Sequence, residues 1–159
     1  MKCFDAKKVK RAHTIKLVAS PEVVIPLLCP VREEEWIPNW HYELVYSKSG
    51  VNEEGCIFRT DFIHGIEALW ICTKFDQKNL EVEFLVHLKD LTVSRKRIFL
   101  FKDDDGSTSA RFEYEDTAIT EKGNELVENY TDEEHIKNVS RLAMLLNHYL
   151  QNGSMFALS

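Results

Sequence analysis

Nothing in this chain of 159 residues is arranged to hold a metal, a disulfide or a membrane span. The four cysteines, Cys3, Cys29, Cys56 and Cys72, form no C-x-x-C pair. They read as reduced, small apolar side chains in a reducing compartment. The histidines supply no closely spaced ligand pairs, so the sequence implies no metal and no cofactor. No uninterrupted apolar run approaches the roughly 20 residues that cross a bilayer. The N-terminus lacks the apolar core and small-residue cleavage site of a signal peptide, so stable membrane insertion is not expected and a cytoplasmic location is. Basic residues number 20 against 26 acidic ones, a net charge of −6, and they are scattered. That scatter argues against a nucleic-acid partner, which needs clustered Lys and Arg. The run Lys7-Lys8-Val9-Lys10-Arg11 is the exception and reads as a solvated approach to the first strand. With 6 glycines and 4 prolines there is no linker, and no repeat is visible. One domain over residues 1–159 is expected, long enough to bury a core.

What the chain does have is alternation. Residues 9–18 suit a first strand. Ser20-Pro21-Glu22 then carries helix-start chemistry: a capping hydroxyl, proline in the first turn, and a carboxylate near the positive end of the dipole. Pro26 removes a backbone bond from this short helix, and Cys29-Pro30 ends it. A second short turn is expected over Arg32 to Trp36, before Pro38. Six strand-like segments follow, at 41–48, 56–62, 66–75, 80–87, 91–101 and 107–119. Between them lie turn signals: Gly50 to Gly55, His64-Gly65, Gln77-Lys78-Asn79 and Asp103-Asp104-Asp105-Gly106. Strands one turn apart form an antiparallel meander.

The period then changes. A helical turn is expected over Glu121 to Val127. Thr131-x-x-Glu134 is a capping box, and the helix after it places Ile136, Val139, Leu142, Leu146 and Leu150 on one face, with Gly153 as the left-handed stop. Over residues 133–152 it spans about 30 Å, enough to cross a sheet. The expected architecture is therefore α+β: a curved seven-stranded antiparallel sheet wrapped around a long C-terminal helix, with two short helices after the first strand, in the manner of a helix-grip fold. A bent sheet and a straight helix cannot touch everywhere, and a cavity is expected between them. Phe58, Phe62, Trp70, Phe84, Phe112 and Tyr114 from the strands, with Leu142 and Leu146 from the helix, are its expected lining, with Val82, Val86 and Val139 beside them.

The segment Leu27-Leu28-Cys29-Pro30-Val31-Arg32-Glu33-Glu34-Glu35-Trp36-Ile37-Pro38-Asn39-Trp40 resembles a signature of bacterial proteins of the Bet v 1-like superfamily. Gly50-x-x-x-x-Gly55-Cys56-Ile57-Phe58 and Leu146-Asn147-His148-Tyr149-Leu150 are similar to the same branch. That superfamily includes START lipid-transfer domains, polyketide cyclases and relatives of the birch-pollen allergen. Asn39 stands where a glycine is expected. The resemblance covers the whole chain and implies binding of apolar or amphipathic small molecules in the cavity, without naming the ligand.

Trp36 and Trp40 flank Pro38 near the expected cavity mouth. They suit either a stacking gate for a flat ligand or a plug fixing the short helices, and packing favours the plug. Tyr114 and Arg95 are the polar residues whose parity allows an inward position, with His64 nearby. A buried hydroxyl and guanidinium would orient a ligand carbonyl or carboxylate. The opposing reading puts Arg95 outside in a surface ion pair. Trp40, Phe58, Phe62, Trp70, Phe84, Arg95, Phe112, Tyr114, Leu142 and Leu146 together are the expected ligand-binding residues. His41 and His87 fall at strand ends, and His135 and His148 on the helix's more polar side. No Ser–His–Asp or Cys–His arrangement is readable. Glu33-Glu34-Glu35 and Asp103-Asp104-Asp105-Gly106 are acidic runs, and the second reads as a solvated hairpin turn.

Three functions follow. The first is a carrier or sensor of a lipid-like or polyketide-like molecule. The second is a cyclase or aromatase using Tyr114, Arg95 or His64 as acid, base or anchor. The third is a partner-regulating domain acting through the outer sheet face. The expected outward residues there, Glu43, Arg59, Asp61, Glu81, Glu83, Arg111, Glu113 and Glu115, are charged and argue against a large apolar patch. The oligomeric state is left open to a homodimer.

Overall fold

The computed structural model describes residues 4–61 and 65–158. Cys3, Phe62 and His64 therefore lie outside the described residues. Among those described, seven strands form one antiparallel sheet in the order β1-β7-β6-β5-β4-β3-β2. They are β1 (Lys8–Leu17), β2 (Tyr42–Tyr46), β3 (Ile57–Asp61), β4 (Glu67–Asp76), β5 (Glu81–Leu88), β6 (Thr92–Lys102) and β7 (Thr108–Ala118). β2 to β7 form the expected meander, and β1 pairs with β7 at the far edge. Between β1 and β2 lie α1 (Pro21–Val24), a 3-10 turn (Ile25–Leu27) and α2 (Pro30–Glu33). After β7 come α3 (Glu121–Asn129) and α4 (Asp132–Asn152).

Local chemistry explains most of these boundaries. Pro21 opens α1, but the Ser20 hydroxyl makes no capping bond. The Ser20 carbonyl instead accepts from the amides of Val23 and Val24 at 3.0 and 3.1 Å. The Thr131 side chain accepts from the Glu134 amide at 3.2 Å, the capping contact expected at the start of α4. Gly153 ends that helix at φ 68°, its amide on the Tyr149 carbonyl at 2.7 Å. Asn39 also takes a left-handed φ of 58°, a conformation asparagine tolerates better than most residues. The expected glycine is not needed there. The Thr120 hydroxyl caps α3 at the Gly123 amide (3.0 Å) and donates to the Asp90 carbonyl (2.6 Å).

Two clasps tie α4 to the edge strand β1. Asn147 on α4 accepts from the Val18 amide and donates to the Lys16 carbonyl, both at 2.9 Å. Arg11 on β1 donates to the Tyr130 carbonyl and to the Asp132 carboxylate, also at 2.9 Å. The buried sector of α4 contains His135, Val139, Leu145 and Leu146. It is rotated from the expected face: Ile136 is 43% exposed, whereas His135 is 1% exposed. The expectation that His135 lies on the polar side is corrected, because its ring finds two buried polar partners described below.

The convex face of the sheet is held by ion pairs. Glu83 meets Arg95 and Arg97 at 3.0 and 3.2 Å. Glu113 is approached by Lys10, Arg111 and Arg97 at 3.1 to 3.8 Å. Cys29, Cys56 and Cys72 are buried free thiols. Asn52 knits two of them, its amide donating to Cys29 Sγ and its side-chain oxygen accepting from Cys56 Sγ, both at 3.1 Å. No helix among the described residues is long and apolar enough to cross a membrane.

Candidate binding cavity

The concave face carries Phe58 and Thr60 on β3, Trp70 on β4, Phe84 and Val86 on β5, and Ser94 and Lys96 on β6. Phe112, Tyr114 and Asp116 on β7 complete it. Between that face, α2, α3 and α4 lies a cavity of about 410 Å³ lined by these residues. The size falls in the range of small-molecule sites, roughly 300–1,000 Å³. Three exposed lining residues, Asp61, Asn138 and Arg141, mark its opening. Asp61 was expected to point outward only, yet it borders the cavity at the end of β3.

One end is aromatic. Phe58 and Trp70 sit directly opposite each other on β3 and β4, with nearly parallel rings 5.4 Å apart. Phe84 meets both edge-on, at 5.9 and 5.7 Å. The Trp70 indole N–H donates to the Thr60 hydroxyl at 2.9 Å, so the ring is fixed while its face borders the space.

The other end is polar. The register of β6 against β7 pairs Lys96 with Tyr114 and Ser94 with Asp116. Lys96 Nζ lies 3.8 Å from the centroid of the Tyr114 ring and 5.7 Å from that of Trp70. The Ser94 hydroxyl donates to the Asp116 carboxylate. Burial lowers the pKa of Lys96, with the charge of Asp116 opposing. Glu33 enters from α2, and burial pushes its carboxyl up to about 8. Burial also raises the Tyr114 hydroxyl, with Tyr130, Glu33 and Asp116 adding to the shift. An acid near neutrality, a softened ammonium and two phenols thus share one apolar chamber. Such convergence is where proton transfer or polar-group recognition becomes feasible.

Behind Tyr114 stands His135, its ring edge-on at 4.8 Å. His135 Nε2 lies 3.1 Å from the Phe112 carbonyl, and Nδ1 lies 2.9 Å from the Tyr130 hydroxyl. Burial lowers its pKa.

Of the expected ligand-binding residues, Trp40, Phe58, Trp70, Phe84, Phe112 and Tyr114 line the cavity, as do Leu142 and Leu146 on α4. Phe62 lies outside the described residues. Arg95 is corrected: it lies on the convex face, 3.0 Å from Glu83. The reason is parity. Arg95 sits opposite Leu85 and Glu115, which face out, whereas Lys96 sits opposite Phe84 and Tyr114, which face in. Trp36 is 1% exposed and donates its N–H to the Leu27 carbonyl at 3.1 Å, the geometry of a plug. Trp40 is half-buried, its N–H on the Pro30 carbonyl at 2.8 Å. Sequence reasoning missed Lys96, Asp116 and Glu33. The last belongs to the acidic run Glu33-Glu34-Glu35, of which only Glu34 and Glu35 are exposed.

No family model matches the chain, and no curated protein matches its sequence. Solved structures do match its shape. Norcoclaurine synthase from Thalictrum flavum superposes with a TM-score of 0.68 at 12% identity, covering 92% of this chain and 88% of that one. The fold is Bet v 1-like. The Zhui aromatase/cyclase from a Streptomyces species gives a TM-score of 0.68 at 10% identity, over 94% of this chain and 100% of that one. The Mll3558 protein from Rhizobium loti gives 0.61 at 10% identity, over 91% and 99%. At these identities the likeness is one of fold. In this chain the space between sheet and terminal helix is open and mostly apolar, with a few polar groups gathered at Glu33 and on β6 and β7.

Proposed function

We propose that the chain binds a hydrophobic small molecule with one polar end, lipid-like or polyketide-like, in the cavity between the sheet and α4. The observation that carries this reading is the 410 Å³ cavity with an aromatic wall at one end and a few convergent polar groups at the other. The Phe58–Trp70–Phe84 cluster would hold the apolar body. Lys96, Tyr114 and Ser94 would meet the polar end. Native mass spectrometry of the purified protein, with displacement of a fluorescent lipid probe across a panel of fatty acids, sterols and polyketide-like aromatics, tests it. Saturable one-to-one binding is expected. A panel without a single binder, from a folded protein, would end the proposal.

A second reading is acid–base chemistry on the bound molecule, of the kind a cyclase performs. It is favoured by Glu33, whose carboxyl at about 8 can both give and take a proton near neutrality. Glu33 joins Tyr114 among its first suspects in place of Arg95, and His64 lies outside the described residues. Turnover unchanged by Glu33→Gln would remove it. Binding of the molecule would survive that variant.

A further inference from the structure

Among the described residues that line the cavity, Lys96 is the one lysine. Its position differs from that of the surface lysines in three respects. It stands at the boundary between the aromatic and the polar end, 5.7 Å from the Trp70 ring and 3.8 Å from the Tyr114 ring. It lies on β6, an interior strand of the sheet, so strand pairing on both sides fixes its backbone. Asp116 acts on it electrostatically from the neighbouring strand. Lysine in a desolvated pocket is the amine best suited to attack a carbonyl, because more of it is unprotonated at neutral pH.

We propose that Lys96 is a carbonyl-capturing amine, forming a reversible Schiff base with an aldehyde or ketone on the ligand, beside the Phe58–Trp70–Phe84 wall. This rests on the cavity being the binding site and goes further, by naming the functional group the ligand carries. The unprotonated Nζ forms a C–N bond to the carbonyl carbon, and one amine proton moves to the oxygen, giving a carbinolamine. A second proton reaches that oxygen, the C–O bond breaks, water leaves and C=N forms. No oxidant or reductant takes part. Glu33, which lines the same chamber, is the group that can deliver the proton of dehydration and take it back when the imine is hydrolysed. The protonated imine is a cation, as the ammonium was. The Tyr114 ring face and the Asp116 charge that accommodate one therefore accommodate the other.

The test uses the full chain, 2-naphthaldehyde as probe, and cyanoborohydride to fix any imine as a secondary amine for peptide mapping by mass spectrometry. Binding of 2-methylnaphthalene, which has no carbonyl, is measured in parallel through tryptophan fluorescence. The expected result is one adduct, on Lys96, blocked by excess 2-methylnaphthalene. It should form faster than on exposed lysines such as Lys16, because burial lowers the pKa of Lys96 and leaves more of its amine unprotonated. Lys96→Arg, which keeps a positive charge there, should lose the adduct, while binding of 2-methylnaphthalene is read on the unsubstituted chain. If 2-methylnaphthalene binds but label spreads over surface lysines, or persists in Lys96→Arg, the Schiff-base proposal is overturned while the cavity reading stands. If 2-methylnaphthalene does not bind and Lys96 is not labelled, both fall.

Discussion

Replacing His135 by leucine isolates the polar joint that seats α4 on the sheet. The Phe112 carbonyl can only accept, so Nε2, 3.1 Å away, carries the proton and donates. Nδ1 is then left as an acceptor for the Tyr130 hydroxyl at 2.9 Å. The ring is neutral and both nitrogens are used. Leucine occupies similar space, so the loss is the two bonds, about 1 kcal/mol each and about 2 kcal/mol together. Tyr130→Phe removes one of them, about 1 kcal/mol. The double variant loses the same two bonds, so it should cost about 2 rather than 3 kcal/mol, a coupling of about 1 kcal/mol. Urea unfolding at pH 7.5 with an unchanged m-value reads this directly. In a chain of this size a loss of 2 kcal/mol lowers Tm by roughly 4–8 °C. A pH arm sharpens the test. Burial lowers the His135 pKa, Lys96 and His13 reinforce that, and the Phe112 bond and Asp116 oppose it. The folded state therefore takes up the proton less readily than the unfolded chain. The neutral ring's contribution is full above pH 6.5 and is lost as pH falls through the folded pKa. The deficit of His135→Leu should be largest above pH 6.5 and shrink toward pH 5. Stability within about 0.5 kcal/mol of wild type at pH 7.5, or strict additivity in the double variant, would refute the joint.

Other substitutions probe the cavity and its frame. Glu33 is raised from 4.5 to about 8, so the folded state keeps a proton that the unfolded chain releases, and stability should decline as pH rises from 4.5 to about 8. Glu33→Gln should flatten that decline in urea unfolding at pH 5 and pH 8; equal slopes would refute the burial of its carboxyl. Leu142→Trp should push an aromatic ring into the cavity, lowering affinity for 2-methylnaphthalene at least about tenfold while stability changes by less than about 1.5 kcal/mol. An unaltered affinity would mean that binding occurs elsewhere. Gly123→Ala would place a Cβ 1.9 Å from the Leu91 carbonyl oxygen, pushing α3 off the β5–β6 turn. A loss of about 1–3 kcal/mol is expected in thermal unfolding, and none at all would refute the close approach.

The fold was legible because each of its elements is locally marked. The capping box at Thr131, the left-handed stop at Gly153 and the turn signals between strands gave the boundaries of α4 and the meander to within a residue or two. The face of each strand was less legible. Tyr46 reads as a partner of Tyr42 and Leu44, but the register of β2 shifts between Leu44 and Tyr46, so Tyr46 pairs with Ile57 and is 59% exposed. The misassignment of Arg95 has a different origin. β6 and β7 pair without a shift from Lys102–Thr108 to Thr92–Ala118, so an inward Tyr114 requires an inward Lys96 and an outward Arg95. The turn at Asp103 to Gly106 contained that information, and reading Tyr114 and Arg95 independently lost it. Glu33 could not be found by pattern at all, because a four-residue helix that opens on Pro30 has no period to read.

The polar end of the cavity is the part that packing alone does not explain. A chamber closed for stability would be filled with aliphatic side chains, as the core that holds Leu17, Val24 and Leu145 is. Placing an amine and a carboxyl against apolar walls opposes folding, because the charged form of each is disfavoured there and the neutral form still lacks its water. Lys96 and Asp116 offset part of this through their charges, and Ser94 satisfies one carboxylate oxygen. Glu33 has only desolvation behind its shift. These groups sit where the aromatic wall ends, so a guest whose apolar body stacks on Phe58 and Trp70 brings its polar end to Lys96. The guest would add a polar partner of its own at that end. Stability and occupancy are then linked: a ligand that completes the polar end should raise Tm by mass action, and an equally greasy one without a polar end should raise it less.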